Sequence, residues 1–154
     1  MRVLFVCLGN ICRSPTAEGV LRHQLEAAGL GEVVHVASAG TGDWHVGNAP
    51  DSRTCQAALV RGYDLSHQRA QQVTAAHFAE YDLVLAMDKS NLTNLTALRP
   101  YNARAELDLF LRRYGAAVHE VPDPYYGGAE GFEQVLDLIE DACRELVVEI
   151  KGRL

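Results

Sequence analysis

Short apolar runs alternate with longer helical stripes along this chain, and that alternation constrains its fold more than any other feature. The runs lie at Val3 to Cys7, Val33 to Ala37, Leu83 to Met87 and, more weakly, Ala116 to Val121. Continuous apolar runs of this length suit parallel strands buried on both faces. Between them, Ala17, Val20, Leu21, Leu25 and Ala28 form one helical stripe, stopped by Gly29 and Gly31. Cys55, Ala58 and Leu59 form a second, ending at Gly62. Asp88 is placed to cap a third through Leu92, Leu95 and Leu98, which Pro100 ends. A shorter helix is expected over Ala105 to Tyr114. The last begins near Glu130 and carries Phe132, Val135, Leu136, Ile139, Cys143, Leu146 and Ile150 on one face. Strands alternating with helices imply an α/β fold: a parallel sheet wound on both faces by right-handed crossovers. Ligands then bind outside the C-terminal strand ends, at the topological switch point.

Composition narrows the function classes. The 154 residues are close to the roughly 150 of one domain. No linker, repeat or low-complexity tract divides them, so a single domain over residues 1–154 is expected. No apolar run approaches the ~20 residues of a membrane helix, and the short apolar N-terminus reads as a strand rather than a signal peptide. Fourteen Lys plus Arg against 20 Asp plus Glu give a charge of −6, which disfavours nucleic acid as a partner. Four cysteines without a secretory signal read as reduced thiols in a cytoplasmic protein.

The chemistry concentrates in the turn after the first strand: Cys7, Leu8, Gly9, Asn10, Ile11, Cys12, Arg13 and Ser14, with Pro15 opening a helix and Ser14 as its N-cap. A strand end meeting a helix N-terminus directs N–H groups and positive dipole at one point, a ready anion site. Gly9 and Asn10 tolerate the positive φ that a curled loop demands. Arg13 offers a planar fork to two oxygens of a phosphate-like group. Cys7 would face the centre of this cradle, where the same donors favour its thiolate. The plain alternative, a buried strand-end Cys followed by a solvent-facing Arg, explains less of this ordered stretch. Cys7 and Cys12 lack the second thiol pair of a zinc site, and no Gly-Lys-Ser/Thr closes a Walker-type loop.

C-L-G-N-I-C-R-S-P followed by A-E resembles the signature loop of the low-molecular-weight protein tyrosine phosphatases. The resemblance extends to S-A-G-T-x-D-W at Ser38 to Trp44, the His67 segment, M-D-x-S-N at Met87 to Asn91 and D-P-Y-Y-G-G at Asp123 to Gly128. The expected architecture is then a three-layer, doubly wound sheet of four parallel strands in the flavodoxin-like order 2-1-3-4, with helices on both faces. The resemblance implies hydrolysis of phosphotyrosine through a phosphocysteine formed on Cys7. The N–H groups of Leu8 to Arg13 and the Arg13 guanidinium would hold the phosphate, Ser14 would bond the Cys7 sulfur, and Asp123 would be the general acid. It also implies that Ser38 and His67 tether the Asn10 amide, and that Tyr125, beside Tyr126, lines the substrate entrance. Where the family carries Asp ahead of the serine, this chain has Ala37. By the same resemblance, Cys12 would form a reversible disulfide with an oxidised Cys7.

Other residues are read from their surroundings. Trp44, the only tryptophan, is expected either in the core or as an aromatic wall for a phosphotyrosine ring, with His45 beside it tuning preference. Cys55 and Cys143 fall on helix stripes and are expected in the core. His23, His35, His77 and His119 show no ligand spacing. Backbone N–H groups and Arg13 supply the positive field, so no metal and no cofactor is expected. A thiolate plus a phosphate dianion carry about three negative charges that the loop offsets only in part. One proton must stay in the complex, on Asp123, which implies a bell-shaped rate profile with an acidic optimum. Expected partners are tyrosine-phosphorylated proteins, a tyrosine kinase among them, acted on by a monomer or weak dimer. Two alternatives differ in class. An arsenate reductase of this fold needs two relay cysteines near the third strand, and Asp82 to Leu98 contains none. A non-catalytic phosphotyrosine-binding module would have lost Cys7, Arg13 or the acid, and all three are present.

Overall fold

The computed structural model describes residues 1–154. Four parallel strands form its centre: β1 (Arg2–Cys7), β2 (His35–Gly40), β3 (Leu83–Ala86) and β4 (Glu106–Leu109), ordered β2-β1-β3-β4. This is the doubly wound order expected from the sequence. Six helices cover the sheet: α1 (Arg13–Ala27), α2 (Ser52–Val60), α3 (His77–Glu80), α4 (Lys89–Leu98), α5 (Phe110–Arg113) and α6 (Ala129–Arg153).

Side chains alternate across a strand, and in β1 both sets are buried. Val3, Phe5 and Cys7 join Leu83, Leu85 and the apolar faces of α1 and α6 in the larger core cluster. Leu4 and Val6 join Val84, Ala86, Phe78 of α3 and Leu95 of α4 in the smaller one. Phe5 and Phe110 meet edge to face, with centroids 5.2 Å apart. Both faces of the central strands are therefore dry, which is why their sequences are continuously apolar.

Helix ends follow local chemistry. After α1, Gly29 (φ 77°) allows its own N–H to reach Glu26 O and that of Leu30 to reach Leu25 O at 2.8 Å, a Schellman closure. Asp88 caps α4 by accepting from Asn91 N at 2.7 Å, while the Asn91 side chain accepts from Asp88 N. Gly19 faces Leu65, whose Cδ2 a Cβ at that position would meet at 2.3 Å. Close packing explains this mid-helix glycine, but the neighbour is the 65–68 loop and not the sheet.

Three expectations are corrected. The fourth strand is Glu106–Leu109, inside the stretch expected to be a helix, and Ala116 to Val121 is not a strand. β4 is an edge strand whose Glu106 and Asp108 are paired with Arg113, so it lacks the apolar run of a central strand. Of the 116–121 run, Val121 alone docks on the sheet, its N–H donating to Met87 O at 2.8 Å. Leu59 does not join the buried stripe of α2 but stands 63% exposed. Helix α1 starts at Arg13 with Cys12 at the N-cap, not with Ser14, whose hydroxyl is occupied elsewhere.

Ile139→Ala, which empties a fully buried site on α6, is expected to lower unfolding free energy by about 2–5 kcal/mol. Leu59→Ala should stay within about 0.5 kcal/mol of the parent. Urea unfolding of the two variants checks both.

Candidate active site

At the C-terminal edge of β1 the chain turns directly into α1, and the turn curls around the Cys7 sulfur. Asn10 N–H donates to Cys7 Sγ at 3.3 Å, and the Ser14 hydroxyl lies 3.0 Å from it. Cys7 is 2% exposed, at the floor of a cavity of about 370 Å³. Leu8, Gly9, Ile11, Cys12 and Arg13 form the cavity's lower wall, and Trp44, His45, Asp123, Tyr125 and Tyr126 its rim. Asn10 and Ser14 lie behind the loop.

Asn10 is the only non-glycine residue with positive φ, at 57°, a conformation costing an L-residue roughly 1–2 kcal/mol. Its side chain explains how it persists. Nδ2 donates to Ser38 Oγ at 2.9 Å and to Ser14 Oγ at 2.8 Å, and Oδ1 accepts from Gln71 N at 3.0 Å. Gly40 lets β2 lie against this loop, since a Cβ there would meet Leu8 O at 2.8 Å.

Ser38 meets Asn10 directly, whereas His67 does not. The Ser38 hydroxyl donates to Glu18 at 2.8 Å, Glu18 pairs with Arg22 at 3.0 Å, and Arg22 reaches His67 Nε2 at 3.3 Å. His67 is thus the outer end of a chain, because Arg22 occupies the space between it and the carboxylate. Burial raises the Glu18 carboxyl above the usual carboxylate range, against the opposing pull of Arg22 and of the Ser38 hydroxyl. Glu18 and Gln71 were not identified from sequence. Glu18 lies in A-E after the loop, but nothing local links it to Ser38, twenty residues on.

Arg13 is 3% exposed. Its Nη1 donates to Asp88 at 2.6 Å and to Val121 O at 3.2 Å, and Nη2 lies 3.6 Å from Asp123 Oδ2. Burial opposes the charge, but Cys7, Asp88 and Asp123 outweigh it and hold the guanidinium above its ordinary value. Asp88, read from sequence only as a helix cap, therefore also aims the arginine, one carboxylate oxygen serving each role. Asp123 accepts from Tyr125 N at 3.1 Å, an Asx turn within D-P-Y-Y-G-G. Tyr125 and Tyr126 stack edge to face at 4.9 Å, and Tyr126 is 93% exposed. Trp44 is 68% exposed, its ring lying against Gly42; it is a wall of the mouth and not a core anchor. Cys143 is fully buried, while Cys55 is only half-buried.

The arrangement brings a buried sulfur, a backbone N–H donating to it, a fixed guanidinium and a rim carboxylate around one cavity. A family model described as low molecular weight phosphotyrosine protein phosphatase matches residues 2–153. The low molecular weight protein-tyrosine-phosphatase of Streptomyces coelicolor is 46% identical, over 99% of this chain and 95% of its own. The low molecular weight protein-tyrosine phosphatase A of Mycobacterium tuberculosis is 45% identical, over 100% of this chain and 94% of its own. The crystal structure of a protein tyrosine phosphatase from Entamoeba histolytica, with Hepes in the active site, matches with a TM-score of 0.93. It is 38% identical and covers 100% of this chain and 99% of that one.

The two loop cysteines should differ in reactivity. Burial pushes the Cys12 thiol up to about 12, so it stays protonated through neutral pH. Iodoacetamide at pH 8 is expected to label Cys7 and spare Cys12, by peptide mass spectrometry. Comparable labelling of both would contradict this.

Proposed function

The chain belongs to the low molecular weight phosphotyrosine protein phosphatase family, and from that premise we propose that it hydrolyses phosphotyrosine through Cys7 and Asp123. The Cys7 thiolate attacks phosphorus in line with the leaving oxygen. An S–P bond forms, the aryl P–O bond breaks, and the departing phenolate takes a proton from Asp123. A phenolate of pKa ~10 leaves poorly without that proton. Water then attacks the phosphocysteine, Asp123 takes its proton, and the electron pair returns to sulfur as inorganic phosphate leaves. Ser14, 3.0 Å from the sulfur, stabilises the returning thiolate. The N–H groups of the loop and Arg13 hold the equatorial oxygens, where charge is concentrated.

One observation carries this reading. The sulfur that accepts from Asn10 and faces Ser14 lies at the floor of the cavity whose rim holds Asp123. The rim supports an aryl substrate, with Trp44 and Tyr125 placed to flank a ring above the phosphate. An oxidised Cys7, as a sulfenic acid, would condense with the Cys12 thiol to a disulfide and water. Arg13 and the N–H groups supply positive charge to the phosphate, so no metal enters the proposed steps.

Cys7→Ser is expected to abolish release of phosphate from p-nitrophenyl phosphate and from phosphotyrosine peptides while leaving the fold intact. Asp123→Asn should slow turnover of phenyl phosphate by about 10²–10⁴-fold. A phenyl phosphate rate unchanged in Asp123→Asn would sink the acid assignment.

A further inference from the structure

In the loop that carries Asp123, Pro124 is buried against the start of α6, and the residues around it are exposed and held by few hydrogen bonds. Val121 is anchored to Met87 O, and α6 begins at Ala129. Between these points Tyr125 N–H turns back on Asp123 and Gly127 N–H on Pro124 O, both within the loop. Arg53, on α2, supplies the hydrogen bond that reaches this stretch from another element: its Nη2 donates to Tyr125 O at 2.9 Å. The same guanidinium lies 5.4 Å from the Tyr125 ring centroid and 5.0 Å from that of Phe132, within cation–π range. Tyr125 is therefore gripped at both its carbonyl and its ring.

Arg53 is itself aimed. Its Nε donates to Asp51 Oδ1 at 3.2 Å and its Nη2 to Asp51 Oδ2 at 3.0 Å. Asp51 caps α2 through Arg53 N and Thr54 N, and Asp51 N–H donates to Ile11 O of the phosphate loop at 2.9 Å. The contacts form a closed circuit: Ile11 to Asp51, Asp51 to Arg53, Arg53 to Tyr125, Tyr125 N–H to Asp123 Oδ1, and Asp123 Oδ2 to Arg13. Because Oδ1 is held by the Tyr125 N–H, Oδ2 is the oxygen left to carry the proton on the Arg13 side.

We propose that Arg53 is a positioning residue for the acid step: through the Tyr125 carbonyl and ring it fixes Asp123 over the phosphate loop. This rests on the reading of Asp123 as general acid. A proton donor works only within hydrogen-bond reach of the leaving oxygen, and misplacement by about 1 Å costs up to about 10²-fold. Arg53 never touches the substrate, so its removal should act only where a proton must be delivered.

The test compares kcat/KM, which reports the first chemical step, for two aryl phosphates. Phenyl phosphate needs the proton; 2,4-dinitrophenyl phosphate leaves without it. Arg53→Met keeps the apolar stem against Tyr125 and Phe132. It is expected to lower kcat/KM for phenyl phosphate about tenfold, to change that for 2,4-dinitrophenyl phosphate less than about twofold, and to add no leaving-group-dependent loss to Asp123→Asn. Equal losses on both substrates, or none on phenyl phosphate, overturn the proposal. If Asp123→Asn is steeply leaving-group dependent and Arg53→Met is not, the positioning role alone fails. If Asp123→Asn shows no such dependence, the acid assignment falls and the positioning role with it.

Discussion

Asn10 occupies a left-handed conformation at the point where β1 becomes α1, and the amide held there shapes everything above it. Its backbone N–H points at the Cys7 sulfur, while its side chain is fixed by Ser38, Ser14 and Gln71 from three separate segments. The strain of a positive φ on a non-glycine residue is offset by bonds that no other local conformation would make. With that residue fixed, its N–H is aimed at the sulfur, and Arg13 enters the first turn of α1 lining the same cavity. The β2 strand and the 68–73 segment that borders it meet at this amide, and the buried Glu18 carboxyl reaches it through the Ser38 hydroxyl.

The site is local in its electrostatics. The chain carries a charge of −6, and most of its arginines are committed to carboxylates. Arg61 pairs with Glu133, Asp137 and Glu140, and Arg113 with Glu106, Asp108 and Glu149. Arg13 is the one arginine or lysine lining the cavity over Cys7, and it too is braced by a carboxylate. An approaching phosphate therefore meets no broad positive field. On the proposed mechanism, capture would depend on fit to the loop N–H groups, which act over a bond length rather than a Debye length.

How much of this was legible in the sequence depended on distance along the chain. The β1–α1 turn was readable because its cysteine, glycine, asparagine, arginine and serine lie within eight residues, in an order that anion chemistry favours. The central strands were readable because burial on both faces writes a continuous apolar run. β4 was not: at the sheet edge, E-L-D-L keeps half its side chains among arginines, and that alternation is also compatible with a helix. Residues that act across the fold were equally silent. Glu18 looks like an ordinary helix carboxylate until Ser38 is brought to it. Asp88 reads as a cap until Arg13 arrives from 75 residues away. Arg53 gives no sign of Tyr125, 72 residues on.

The single tryptophan sits at the mouth of the cavity, more than half exposed, while the core is built from Phe, Leu, Val and Ile. The molecule's brightest intrinsic fluorophore is therefore decoupled from its core. At 68% exposure Trp44 should emit much as a solvated indole does, leaving unfolding little red shift to produce. An aryl ligand entering between Trp44 and Tyr125 would instead change the ring's surroundings at once. In this chain tryptophan fluorescence should therefore gauge occupancy of the mouth, and folding is better followed by another signal.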